Sequence, residues 1–90
     1  MPERPIAGSP LAKNLGSVIK GLRQAAGLSQ VVFSERCGFY QTYLSRIENG
    51  HANPTINALE VIAHALGITV FELFDRVREQ SEGQGQSLWR

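Results

Sequence analysis

Ninety residues, 42% of them hydrophobic, are enough for one small core but not for a second, and they leave little room to enclose a substrate. A single cysteine excludes an intramolecular disulfide, and two separated histidines without a CxxC pair offer no zinc-ligand spacing, so neither metal nor cofactor is expected. The net charge of +1 is unevenly spread, residues 1–50 carrying +3 and residues 51–90 carrying −2, the polarity expected of a chain whose front meets phosphate and whose back does not. The bland alternative is a chance fluctuation in a short chain. No apolar run approaches the roughly 20 residues that cross a bilayer, and MPERPIAGSP lacks an apolar signal core, so no membrane partner and a reducing cytoplasm are expected.

Residues 1–8, with Pro2, Pro5 and Gly8, have no periodicity and predict a mobile arm carrying Arg4. Ser9 before Pro10 supplies an N-cap and a first helical residue whose missing N–H costs nothing there. Leu11, Leu15, Val18, Ile19 and Leu22 then form one apolar stripe, stopped at Gly27. Gly16 and Gly21 weaken this helix by up to about 1 kcal/mol each, unless they serve close approach to another helix.

Ser29 caps a second helix with Phe33 and Cys37 on its inner face and the small Ser34 beside them. Cys37 reads as a buried small hydrophobe, with a redox-sensing thiol as the minor alternative. Gly38 supplies a turn with positive φ, and Phe39 pins that turn to the core. A third helix follows from about Tyr40 to Asn49, ending at Gly50. Its Leu44 and Ile47 face inward, while Gln41, Thr42, Ser45 and Arg46 lie opposite. Two helices joined by a glycine turn, the second displaying amide and guanidinium groups, form the arrangement that sets a recognition helix in the DNA major groove.

His51 to Pro54 is a loop, because Asn53 before proline is driven out of the helical region. Thr55 caps a fourth helix with the stripe Leu59, Ile62, Ala63 and Leu66, closed by Gly67, and His64 lies on its solvated side. Thr69 and Glu72 fit a capping box that starts a fifth helix through Val70, Leu73 and Phe74, reaching Val77 or Gln80. The folded unit is thus placed at residues 9–80, and residues 81–90 predict a flexible tail in which Trp89 is unusual. The class is all-α, five short helices without a strand signal.

LRQAAGLSQ, YLSRIENG, NPTINALEVIAHALGI and TVFELF, in that order, closely resemble the Cro and phage-repressor type helix-turn-helix domain of the XRE family, from about Leu15 to Phe74. The resemblance implies a five-helix bundle of the lambda-repressor-like type whose partner is double-stranded DNA. It further implies that Gln30 clamps a phosphate and that Gln41, Thr42 and Arg46 point at base edges. Their chemistry agrees: glutamine pairs with adenine N6/N7, arginine with guanine O6/N7, and a threonine methyl with thymine. Ser45, Asn49, His51 and Asn53 match backbone-contacting or flanking positions. Without the resemblance, this polar set would equally suit an ordinary solvated face. Arg23 and Glu48 match a pair that in this family ties the first helix to the third, a structural ion pair with a phosphate contact from Arg23 as the minor alternative.

Four features depart from the family pattern. Tyr40 stands where a short capping side chain is usual, and its phenol is expected to reach a phosphate instead. His51 replaces a frequent lysine and lowers the loop's charge at neutral pH. Val31 and Val32 replace an acidic or polar pair, and Phe71 replaces a polar residue. Because one recognition helix covers few base pairs, a homodimer on a palindromic operator is expected, with Phe71, Phe74 and Val77 of the fifth helix at its interface. The alternative for Phe71 is that it covers the end of the first helix or the C-terminal tail, with Trp89. The leading function is a DNA-binding transcription regulator of repressor or controller type. A rival is an antitoxin-like or bridging protein whose main contacts are with a protein partner. An enzyme is not expected, since no nucleophile, base and orienting group cluster.

Overall fold

Four short side chains start four of the helices by bonding the backbone donors that each first turn leaves unpaired. Ser9 Oγ accepts from Ala12 N at 3.1 Å, Ser29 Oγ from Val32 N at 3.1 Å, and Thr55 Oγ1 from Ala58 N at 3.0 Å. Thr69 and Glu72 complete a reciprocal capping box, with Thr69 N donating to Glu72 Oε1 at 2.8 Å and Glu72 N to Thr69 Oγ1 at 3.0 Å. The computed structural model describes residues 8–83 as five helices: α1 Pro10–Ala25, α2 Gln30–Cys37, α3 Gln41–Glu48, α4 Ile56–Ala65 and α5 Val70–Gly83. Residues 1–7 of the arm expected at 1–8, with Arg4, and residues 84–90 of the tail expected at 81–90, with Trp89, lie outside the described residues.

Helix α1 packs on α3 and α5, α2 on α3 and α4, and α4 on α5. One core joins them, with Ile19, Phe33, Leu44, Ile62 and Leu73 fully enclosed and Leu15, Val18, Ile47, Leu59 and Val77 beside them. Gly38, at φ 73°, ends α2 in the left-handed conformation and turns the chain into α3 within three residues. Phe39 and Tyr43 lock that turn edge to face, their ring centroids 5.1 Å apart. Cys37 is buried, and desolvation pushes its thiol pKa up, away from the reactive thiolate.

The structure departs from the sequence reading in several places. Leu11, in the first turn of α1, remains partly exposed at the edge of the stripe, whereas the polar Asn14 is buried. Asn14 is satisfied: its Nδ2 donates to Pro10 O at 3.0 Å and its Oδ1 accepts from Gln80 Nε2 at 2.9 Å, tying α1 to α5. Helix α5 continues to Gly83, past the boundary placed at residue 80, because Leu73, Val77 and the small Ser81 recur every fourth residue and are all buried. Phe74, one residue off that stripe, is 38% exposed. Val77 is 1% exposed and belongs to the core, so its assignment to a dimer interface is corrected.

Candidate nucleic-acid interface

The outer face of α3 is set by what its inner face needs. Leu44, Ile47 and Glu48 are buried, which leaves Gln41, Thr42, Arg46 and Asn49 exposed and Ser45 half-buried on the opposite side. Tyr40 occupies the N-cap without a side-chain cap bond and is 86% exposed, its phenol standing free of the helix start. Asn49 Nδ2 lies 3.5 Å from Ser45 Oγ one turn before it. Arg46 folds toward the following loop, where Nη2 donates to the His51 carbonyl at 3.1 Å, and His51 and Asn53 are both exposed there.

Beneath this face lies a buried polar network. Arg23 grips Glu48 with two nitrogens, Nε to Oε2 at 2.7 Å and Nη2 to Oε1 at 3.0 Å, while Nη1 donates to Leu28 O at 2.7 Å. Both side chains are almost fully enclosed. Gln30, the first residue of α2, joins the same carboxylate: its Nε2 donates to Glu48 Oε1 at 3.0 Å. Because a carboxylate only accepts, Gln30 must turn its NH2 inward, which aims its Oε1 outward at Gln41 Nε2, 3.4 Å away. The structure thus joins Arg23, Glu48, Gln30 and Gln41 in one chain, from the core to the exposed start of α3. The Gln30–Glu48 link has no signal in the sequence, since it spans 18 residues and two helices.

This network also sets the charge of the surface. Glu48 is the only acidic residue between positions 40 and 57, and it is turned inward against a guanidinium. The exposed face of α3 and its following loop therefore carry no carboxylate to repel phosphate, and Arg46 adds a permanent positive charge.

A helix-turn-helix family model matches residues 19–73, more than half of the chain and the whole of this architecture from mid-α1 into α5. The chain belongs to the XRE-type helix-turn-helix family. Its members are DNA-binding transcription regulators and not enzymes. The chain is 43% identical over 63 residues to an uncharacterised helix-turn-helix transcriptional regulator, y4dJ, of Sinorhizobium fredii, the match covering 70% of this chain and 82% of that one. It is 39% identical over 66 residues to the control protein C.MunI of a Mycoplasma species, covering 72% and 89%. The restriction-modification controller C.AhdI from Aeromonas hydrophila superposes with a TM-score of 0.68 at 32% identity, over 70% of this chain and 96% of that one. No single helix among the described residues of this family member is long and apolar enough to cross a membrane.

Proposed function

We propose that this regulator acts in the cytoplasm as a homodimer on a palindromic operator, in the manner of a repressor or a restriction-modification controller. Helix α3 enters the major groove, where Gln41, Thr42 and Arg46 read base edges. Gln30, Tyr40, Ser45, Asn49, His51 and Asn53 fix the register on the sugar-phosphate backbone. The observation that carries this reading is the amide- and guanidinium-bearing face of α3, cleared of negative charge by the burial of Glu48 against Arg23. The likeness to two control proteins favours the controller type.

Selection of bound duplexes from a random DNA library tests the whole reading. The expected product is an inverted repeat with half-site centres about one helical turn apart. On that site Arg46→Ala should cost about 1–3 kcal/mol, with the fold intact because Arg46 is exposed. Selected sequences without symmetry would reject the palindromic dimer, and normal binding by Arg46→Ala would reject its base-reading role.

A further inference from the structure

The polar face of α3 is short of fixed charge. Between residues 40 and 57 Arg46 is the only lysine or arginine, yet affinity for duplex DNA arises largely from cations that replace the counterions around its phosphates. The C-terminal carbonyls of α3 also place partial negative charge at the edge where the helix meets its loop. Another element has to supply positive charge at that edge.

Helix α1 is in position to do so. Its second turn lies flush on the end of α3: a Cβ at Gly16 would stand 2.3 Å from Ile47 O and 2.6 Å from Glu48 O. One turn earlier, on the same side of α1, Lys13 meets Gly50, the residue after the α3 cap. Gly50 has φ 76°, and a Cβ there would lie 2.8 Å from Lys13 Cγ and 2.9 Å from Lys13 Cα. Only glycine permits this approach, so the Lys13 stem runs directly over the backbone between Asn49 and His51. Lys13 is an exposed residue; its stem crosses Gly50, between Asn49 and His51, and its Cε lies 3.5 Å from where a Cβ at Gly8 would stand, so its outer end lies over the turn that starts α1. Helix α1 contains no aspartate or glutamate, so nothing on its own element neutralises Lys13.

We propose that Lys13 is a phosphate-binding residue of the DNA interface, contributed by α1 from outside the helix-turn-helix pair and held in place by the close packing on Gly50. The contact rests on the DNA-binding reading above and extends it. With its stem already packed, Lys13 loses less side-chain freedom on meeting a phosphate than a free surface lysine does.

Titration of the full chain, Lys13→Gln and Lys13→Arg against two duplexes, the selected operator and a scrambled sequence, over a range of salt concentrations tests the assignment. Lys13→Gln should make the slope of log Kobs against log salt shallower by about 0.9, the value of one phosphate contact, which corresponds to about an eightfold loss of affinity at 0.1 M salt. The loss should be equal on both duplexes, Lys13→Arg should restore the slope, and the melting temperature should not move. An unchanged slope overturns the proposal, as does a loss confined to the operator, which would mark a base contact. A lowered melting temperature would make Lys13 a cap of the α3 C-terminus instead. If the unaltered chain binds neither duplex, the DNA-binding reading itself fails; if it binds and Lys13→Gln matches it, only the Lys13 assignment fails.

Discussion

Arg23 has three hydrogen-bonded partners within the fold, two oxygens of Glu48 and the Leu28 carbonyl, and these bonds hold α1, the α1–α2 turn and α3 together. Removing it leaves a carboxylate enclosed by protein with only Gln30 to hydrogen-bond it. Arg23→Ala is therefore expected to destabilise the fold by about 3–5 kcal/mol, the usual cost of orphaning one member of a buried pair. Urea denaturation measures this directly, and a variant within about 1 kcal/mol of the parent would rule out the pair as a structural tie. Only the family resemblance points to the pairing of Arg23 with Glu48, because 25 residues separate them and the sequence alone allows either to be a surface charge. The resemblance points to Gln30 as a phosphate clamp, but not to its place as the link between that pair and Gln41. A hydrogen-bond chain depends on where three helices converge, and periodicity along one helix carries no such information.

At the level of the helices, the caps and turns were legible in the sequence because each is a local interaction within a few residues. Ser9, Ser29, Thr55 and the Thr69–Glu72 box all make the bonds their spacing implies. Interhelical distances are not local, and the two glycines of α1 illustrate the difference. In the sequence Gly16 and Gly21 look alike. In the structure Gly16 is pressed against the α3 backbone, whereas Gly21 is exposed with nothing within 4 Å of where a Cβ would stand. Helix propensity favours alanine over glycine by about 1 kcal/mol at either site. Gly21→Ala should realise that gain. Gly16→Ala should lose stability despite it, because its methyl would overlap carbonyl oxygens that cannot rotate aside. Denaturation of both variants should show opposite signs, and a stabilised Gly16→Ala would contradict the tight α1–α3 contact. The end of α5 shows the same limit: Ser81 looks like a tail residue by composition, yet it is buried on a helix that packs against α1.

For the whole molecule, the proposed homodimer has to set two recognition helices about 34 Å apart on one side of a duplex. The proposed dimer needs an apolar surface on elements other than α3. Phe71 is 79% exposed on α5, and Phe74 lies partly exposed less than one turn along. An open groove beside Phe71 is lined by Glu60, His64, Ile68, Thr69 and Val70. Ile56, 74% exposed, shares the face of α4 that carries Glu60 and His64. Burying Phe71 against a second copy would contribute roughly 1.5–3 kcal/mol per subunit, and a two-fold axis counts that twice. Val77 cannot take part, being enclosed against α1 and the core. Phe71→Glu should leave the fold intact, since Leu73 and Val77 on the buried side of α5 are untouched. It should convert the protein to a helical monomer in sedimentation and weaken operator binding by at least about tenfold, which requires the loss of only about 1.4 kcal/mol. A Phe71→Glu protein that still sediments as a dimer would move the interface off this face of α5. Val31 and Val32, the exposed apolar pair on α2, would then be the next surface to alter.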